Sequence, residues 1–434
     1  MSWDLAFAIY GALLFALLFF GVAIGSVMGF VGVVGVTLIG GSRFWPTLGD
    51  IVWNTLDSFT LAAVPLFVFM GEIIARSGVS ARLYSGLTTL IGRVRGGLAQ
   101  SNIAGCAIFA AISGSSTATA MTIGVIALPE MRKRGYSDTL NLGSLTGGGC
   151  LGILIPPSIP LVIYASSVQA PLIDLFMAGV VPGLLLAALF MAYIWVRAWL
   201  NPELAPSPDS APRSGRDIAR ALGDCGPVIL LVLAVIGGMY FGIVTPTEAG
   251  GLGALLAVLL SLQSRTLSIA VLSDALKSTV MTTTVVLFIM MNSQVLSYAL
   301  TLSGVGRALA EGIAMLDLSP FVFFLCLMAL FTVLGMFIDG ISMMLLTVPV
   351  LLPAILGAGF DLVWFGIAMV LFMELGQLTP PMGLNLFAIQ SIAGKVSLEK
   401  IAYSSLPYAL IIVAFCLLIY ALPEIVLWLP HTAG

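Results

Sequence analysis

The chain has 434 residues, of which 60% are hydrophobic and only 9% are charged, and its formal net charge is −3. A soluble domain cannot hide this much apolar surface, so the composition predicts an all-α polytopic membrane protein. Apolar runs of about 20 residues fit transmembrane helices, whereas β-barrel strands would alternate over about ten residues. The sequence has no basic cluster suited to nucleic acid, so no nucleic-acid partner is expected.

Four parts follow one another along the chain. Residues 1–58 are predicted to form scaffold membrane helices, and residues 59–200 form a first membrane unit. Residues 201–276 are predicted to comprise a cytoplasmic linker and two connecting helices, at about 225–243 and 247–263. The linker, 201–224, is rich in Pro, Ser and Arg and is expected to be an exposed loop. Residues 277–430 form a second membrane unit.

The second unit repeats the first weakly. Ser77-Gly78-Val79 recurs as Ser303-Gly304-Val305, and Pro156-Pro157 recurs as Pro380-Pro381. Five predicted crossings separate equivalent points, so the two units are expected to be inverted repeats. Nearly all lysines and arginines can be grouped on one side of the membrane, which the positive-inside rule makes cytoplasmic.

Each unit is predicted to contain a re-entrant hairpin, at about 97–135 and about 319–359. The first hairpin turns at a run of small polar residues between Ser113 and Thr119. Backbone that leaves a helix at membrane depth needs partners in protein, water or a ligand. The hydroxyls and carbonyls of this tip offer oxygen ligands for Na⁺, and the half-helix N-terminus offers N–H groups to an anion. Close helix packing, with the hydroxyls bonded back to the helix, explains the composition equally well.

Carboxylates that lie deep in apolar sequence are further candidate functional residues. Asp339 lies at the tip of the second hairpin, where it either faces an ion or cavity or caps the next half-helix. Glu72 is predicted to be interfacial, near a cytoplasmic helix end. Glu374 lies deeper and either carries a proton or is a hydrogen-bonded structural carboxyl.

A broken helix follows each hairpin. The breaks fall at the proline pairs Pro156-Pro157 and Pro380-Pro381, because each proline lacks an N–H and disfavours helix at the preceding residue. The carbonyls expected to be freed are those of Gly152, Ile155, Gly376 and Thr379. Paired breaks beside hairpin tips predict ion sites, whereas a simple kink would need only one proline.

Together these motifs carry a resemblance to a known family. The most specific segments are Gly114-Ser115-Ser116-Thr117-Ala118, Ile155-Pro156-Pro157-Ser158, Thr245-Pro246-Thr247-Glu248-Ala249 and Leu378-Thr379-Pro380-Pro381-Met382-Gly383. With them the chain resembles the large membrane subunit of tripartite ATP-independent periplasmic (TRAP) transporters over nearly its whole length.

The resemblance implies an elevator-type Na⁺ symporter for organic acids in a bacterial inner membrane. It also implies a periplasmic substrate-binding protein and a small four-helix membrane subunit, expected here as a separate chain, with membrane lipids around the assembly. Family Na⁺ sites carry over to two sets of residues: Ser113 and Ser115 with Gly152, Ile155 and Pro157, and Asp339 with Gly376 and Thr379. The transported anion is expected between the tips, near Ser116, Thr117, Ser158 and Asn385.

Other classes of function fit less well. No Walker A motif occurs, because Gly394-Lys395 is followed by Val396, and neither a zinc-protease nor a serine-hydrolase motif is present. We therefore expect a secondary active transporter and not an enzyme. The alternative is a stand-alone ion-coupled organic-anion carrier that needs no binding protein.

Overall fold

The computed structural model describes residues 2–206 and 214–433, and these ranges are helical apart from turns and short connections. Seven helical stretches among them are long and apolar enough to cross a membrane, or eight if one sharply bent pair counts as a single span. The predicted all-α polytopic class is therefore confirmed. The inverted orientation of the two units and the re-entrant insertion of their hairpins stay predictions.

Three N-terminal helices precede the first unit: α1 (Trp3–Phe19), α2 (Ile24–Gly40) and α3 (Trp45–Leu56). Helix α2 packs along α13 (Ile269–Ser303) through glycines. A Cβ added at Gly32 would lie 2.8 Å from the backbone nitrogen of Leu296, so the two backbones nearly touch. Small residues allow this kind of close approach between apolar helices. The N-terminal part is thereby fixed to the second unit.

The first unit consists of α4 (Ala63–Arg76), α5 (Val79–Ile91), α6 (Gly97–Ser113), α7 (Ser116–Lys133), α8 (Asp138–Leu154), α9 (Ile159–Val168) and α10 (Leu172–Leu200). Helices α4 and α5 meet at a bend of 68°. Gly78 makes this bend possible, because it adopts a left-handed conformation with φ of 72°. Helices α6 and α7 are the two halves of the first hairpin, and Gly114, also left-handed, ends the first half.

The linker contains more structure than its composition predicts. Helix α11 (Gly215–Tyr240) begins ten residues before the predicted start at 225, because Ser214 and Asp217 form a capping box. Upstream, the Leu204 carbonyl accepts a hydrogen bond from the Ser137 backbone N–H at 3.0 Å. The expectation of an exposed loop over all of 201–224 is therefore wrong at both ends, and residues 207–213 lie outside the described residues. Helix α12 (Pro246–Gln263) follows.

The second unit contains α13, α14 (Val305–Met315), α15 (Pro320–Gly335), α16 (Gly340–Gly357), α17 (Leu362–Leu378), α18 (Leu384–Ala393), α19 (Leu398–Ala421) and α20 (Glu424–Ala433). Its first helix starts before the predicted boundary at 277, since the Ser268 side chain caps it. The order of elements is the same in both units: an apolar helix, a short amphipathic helix, two hairpin halves and a broken helix, although α4 is much shorter than α13.

Glycines bring the broken helices against the hairpin tips. A Cβ added at Gly152 in α8 would lie 2.5 Å from the Ser115 carbonyl oxygen in the first tip. A Cβ added at Gly376 in α17 would lie 2.5 Å from the Cα of Gly335, where the second hairpin leaves its first half. These distances are too short for any real side chain, so each tip is seated on a backbone surface that only glycine permits.

Gly152→Ala is expected to displace the first tip and to lower the free energy of unfolding by about 1–3 kcal/mol, as overpacking in a rigid core does. Gly251→Ala in α12 is the matched control, because a Cβ there meets nothing within 4 Å. The melting temperature of the purified protein, followed by gel-filtration recovery after heating, measures both variants. Equal melting temperatures for the two variants would contradict this account of the tip.

Candidate functional site

A cavity of about 260 Å³ lies where the two hairpin tips meet. Residues 113–118 of the first tip and residues 339–341 of the second tip both line it, although the tips are far apart in sequence. Helices α4, α6, α8, α9, α13, α17 and α18 supply the remaining wall. The fold thus brings the two predicted tip regions to one cavity.

Four helices begin at this cavity. Its lining includes the first residue of each: Ser116 of α7, Ile159 of α9, Gly340 of α16 and Leu384 of α18. The first N–H groups of a helix have no partner within it, and the helix dipole places a partial positive charge there. No lysine, arginine or histidine is among the lining residues. The positive character of the cavity therefore comes from backbone ends and not from side chains.

Two carboxylates line the same cavity, and their surroundings differ. Glu72 accepts hydrogen bonds from the Arg76 Nε and the Ser278 Oγ, both at 2.7 Å. Asp339 accepts one from the Ser342 backbone N–H at 3.0 Å, and no cationic side chain of the described ranges forms an ion pair with it. Asp339 is therefore a helix cap and a cavity carboxylate at once. Glu72 also lines the cavity, and its predicted interfacial depth stays a prediction.

Four of the predicted residues in the first tip line the cavity: Ser113, Ser115, Ser116 and Thr117. Two of their hydroxyls are also used within the hairpin. The Ser113 Oγ lies 2.7 Å from the Thr119 Oγ1, and the Ser115 Oγ accepts a hydrogen bond from the Ala118 N–H at 3.4 Å. Local bonding and exposure to the cavity occur together here, so the two interpretations of this tip are not exclusive.

Two predicted substrate contacts lie behind the cavity wall. Ser158 is buried and donates to the Ile153 carbonyl at 2.5 Å. Asn385 is also buried, and its Nδ2 lies 3.6 Å from the Cys150 Sγ. Neither side chain lines the cavity. Their predicted contact with substrate would need a different arrangement of the tips.

The broken helices place the other predicted ion ligands around the tips. Ile155 and Thr379 are extended, as the proline pairs require. The Gly376 carbonyl accepts a hydrogen bond from the Thr379 N–H at 3.1 Å, so the expectation that it is free is wrong. A closing turn at the end of α17 uses it. Thr379 lines a separate groove between α15 and α19.

The other three predicted ligands of the first set, Gly152, Ile155 and Pro157, also do not line the cavity, and neither does Gly376. Pro157 nevertheless lies against the first tip, where a Cβ added at Gly114 would meet its carbonyl oxygen at 2.9 Å. The Ile159 N–H donates to the Gly114 carbonyl at 3.4 Å. The first break is thus bonded directly to the first tip.

Glu374 joins the two units beside the cavity. It is fully buried in α17, and its Oε1 accepts a hydrogen bond from the Ser116 Oγ at 2.7 Å. Its Oε2 has no hydrogen-bond partner among the described residues. The carboxyl therefore holds the first residue of α7 against the second unit, and both alternatives for its role, a proton carrier or a structural carboxyl, stay predictions.

Among the lining residues that sequence reasoning did not single out, Gln377 is the one with a side-chain amide. It is almost fully buried and lies one turn after Met373 on α17, so both face the cavity. Its position just before the second proline pair could have indicated that it lies near the proposed site. A buried amide next to a helix break offers both a donor and an acceptor to a bound ligand.

These helices, interrupted in pairs around a cavity that carries carboxylates and helix N-termini, define a multi-pass helical membrane protein. Residues 12–425 match the family model of the tripartite ATP-independent periplasmic transporter DctM component, and the chain belongs to this family. The predicted resemblance is therefore confirmed, and the chain is a large permease component of a TRAP transporter.

Two relatives and one solved structure illustrate the similarity. The chain is 34% identical to the C4-dicarboxylate TRAP transporter large permease protein DctM of Pseudomonas aeruginosa, over 88% of this chain and 89% of that protein. It is 31% identical to the isethionate TRAP transporter permease protein DctMQ of Oleidesulfovibrio alaskensis, over 87% of this chain and 59% of that protein. The YdaH transporter of Alcanivorax borkumensis shares the fold, with a TM-score of 0.60 and 15% identity over 90% of each chain.

Ser116→Ala is expected to lower the free energy of unfolding by about 1.5–3 kcal/mol, since it removes the one hydroxyl that donates to the buried Glu374 carboxyl. Thr117→Ala is the matched control, because the Thr117 hydroxyl makes no hydrogen bond within the described ranges. Thermal melting of both variants in the same detergent provides the comparison. A Ser116→Ala protein as stable as Thr117→Ala would show that the Ser116–Glu374 bond contributes nothing.

Proposed function

We propose that the chain imports an organic acid together with Na⁺, and that a periplasmic binding protein delivers this substrate. The observation that carries the proposal is the charge pattern of the cavity. Four helix N-termini and two carboxylates line it, and no basic side chain does. The backbone dipoles of such a cavity attract an anion, but the negative charge of Asp339 repels it.

A bound cation resolves this conflict. Helix N-termini contribute up to about 2 kcal/mol each in partly buried geometry. Two negative charges about 4 Å apart oppose each other by roughly 4 kcal/mol at an effective dielectric constant of 20. An organic anion entering beside Asp339 therefore gains from a positive charge that enters with it. Glu72 needs no such charge, because Arg76 already pairs with it.

The donor atoms at the tips favour Na⁺ as this cation. They are hydroxyl, carbonyl and carboxylate oxygens, the donors that interrupted helices offer to Na⁺ in secondary transporters. Within the described ranges, no group of three or more His, Cys, Asp or Glu residues could hold a metal ion. The sets predicted from the family, around Ser113 and Ser115 and around Asp339, remain our proposed Na⁺ ligands.

The size of the cavity favours a small substrate. At about 260 Å³ it lies just below the usual range for ligand pockets, about 300–1,000 Å³. The two relatives described above are named for a C4-dicarboxylate and for isethionate, which are both small organic anions. We therefore place the substrate among small organic acids.

The partners follow from the family. TRAP large permeases work with a small membrane subunit and a periplasmic binding protein. The chain covers only 59% of the DctMQ relative, which leaves room there for a further membrane segment. We propose that this chain binds a separate small four-helix subunit in the bacterial inner membrane.

We also propose an elevator movement of the tips, and this proposal rests only on the resemblance to the family.

Uptake by the reconstituted protein and its partners is expected to require both Na⁺ and the binding protein. Liposomes containing the permease and small subunit are supplied with labelled C4-dicarboxylate or isethionate and the cognate binding protein. Replacing Na⁺ with choline should reduce the initial rate to background. Equal rates in choline would refute Na⁺ coupling, and full uptake without the binding protein would favour the stand-alone carrier.

Asp339→Asn is expected to nearly abolish transport and to weaken its Na⁺ dependence while leaving the fold intact. Asparagine caps a helix about as well as aspartate, so the variant loses only the charge that offsets the ion. Glu72→Gln is the control, because Arg76 already pairs with the Glu72 carboxylate and its Na⁺ curve should be retained. Initial rates against Na⁺ concentration, at matched protein density, test both. An unchanged curve for Asp339→Asn would leave Asp339 a structural cap only.

A further inference from the structure

A second polar cavity, of about 150 Å³, lies where three helix ends meet. These are the start of α8, the end of α10 and the start of α19, and the Lys400 Nζ donates to the Asp138 Oδ2 across the junction at 3.0 Å. The polar residues lining this cavity are Thr139, Tyr193, Arg197, Tyr403, Ser404 and Tyr408. None of them belongs to the tip cavity.

The guanidinium in this second cavity has no acidic partner. Arg197 lies in the last turn of α10, and no carboxylate of the described ranges pairs with it. Asp138, the acidic residue at the junction, is already bound by Arg132 and Lys400. The groups that interact electrostatically with Arg197 are the hydroxyls of Tyr193 and Tyr408.

Tyr408 adds a fixed hydroxyl that lacks a partner. The residue is 1% exposed, and its Oη makes no hydrogen bond to the described residues. Its ring fills the space left by Gly147, where an added Cβ would lie 2.2 Å from the ring. The side chain cannot easily turn away to find another acceptor. An unpaired buried hydroxyl costs about 1–3 kcal/mol, so an acceptor brought by a ligand would be favourable.

The surroundings place this cavity at the level of the lipid headgroups. Trp195 and Trp199 stack on the exposed face of α10, on either side of Arg197 in sequence, and Tyr403 is 73% exposed. Tryptophan and tyrosine collect at the boundary between headgroups and hydrocarbon. The junction lies on the side that holds most lysines and arginines, which is the predicted cytoplasmic side. Leu406, half exposed at the cavity wall, offers an apolar surface for an acyl chain.

We propose that this cavity binds the phosphate of an anionic phospholipid from the cytoplasmic leaflet, with Arg197, Tyr193 and Tyr408 as its donors. Guanidinium groups bind phosphate oxygens through a planar set of N–H donors, and phenolic hydroxyls add single hydrogen bonds. Basic pockets between membrane helices on the cytoplasmic side bind anionic headgroups in this way. The volume suits a phosphate-sized group, with the acyl chains outside. The lipid would hold α8, α10 and α19 together at one end, independently of the substrate.

The full-length protein, delipidated in detergent, tests the site by lipid titration. Phosphatidylglycerol is expected to raise its melting temperature by several degrees, because a ligand that binds only the folded state stabilises it. Phosphatidylethanolamine and inorganic phosphate should give much smaller shifts. Arg197→Gln should weaken phosphatidylglycerol binding about tenfold, in line with the loss of a charged hydrogen bond. Arg216→Gln, an exposed arginine at the start of α11, should bind like wild type.

Tyr408→Phe provides a second variant that should fold normally, because the hydroxyl it loses has no partner in the protein. It should weaken phosphatidylglycerol binding about fivefold. Wild-type binding by both Arg197→Gln and Tyr408→Phe would overturn the proposal. An equal shift with inorganic phosphate would instead make this a site for a soluble anion, and an equal shift with phosphatidylethanolamine would make the effect nonspecific.

Discussion

Backbone groups that leave a helix inside a membrane must find partners, and the centre of this protein is built around that requirement. Four helices start at the tip cavity, and three of them have one backbone N–H group near the start that is satisfied locally. The Ile159 N–H bonds to the Gly114 carbonyl, the Ser115 hydroxyl accepts from Ala118, and Asp339 accepts from Ser342. The interruptions thus support one another, and the donors that remain line a single cavity. Packing of the tips consequently also forms the proposed binding site.

The bond between Ser116 and Glu374 restricts how the tips can move. It connects the first residue of α7 to a fully buried carboxyl on α17, in the other unit. Moving the first tip without α17 would take the Ser116 donor away from that buried carboxyl and leave only the weak thiol donor of Cys150 beside it, at a cost of several kcal/mol if it were charged. The proposed transport movement is therefore most economical when both tips and α17 travel as one body. Glycines at 152 and 376 make this body dense by letting backbone meet backbone.

The sequence predicts the interruptions well because they depend on local chemistry. A proline pair cannot continue a helix. Gly114, which has no side chain, can adopt the left-handed conformation that ends α6. The sequence does not predict features that depend on how the helices pack against one another. That Glu72 lines the tip cavity is one example, because it depends on how α4 packs against the hairpin tips. The Gly376 carbonyl looks free beside two prolines, yet the Thr379 N–H bends back to it. Ser214 and Asp217 could have predicted the early start of α11, because they form a capping box. The nearby prolines instead favoured a loop in the sequence analysis.

The two anion sites proposed here differ in the source of their positive charge, and this difference fits their roles. A fixed guanidinium such as Arg197 attracts an anion permanently, which suits a lipid that remains bound through many cycles. A transport cavity with a permanent arginine would bind its anion tightly on both sides of the membrane and release it slowly. The tip cavity has backbone dipoles, the paired Glu72 and the unpaired Asp339, so in our proposal its affinity for an anion depends on a cation that can leave. Because coupling between two ligands is reciprocal, the departure of the cation weakens the hold on the anion by the same factor. In the proposed mechanism, a tip cavity without basic side chains among its described lining residues would allow an ion gradient to control release.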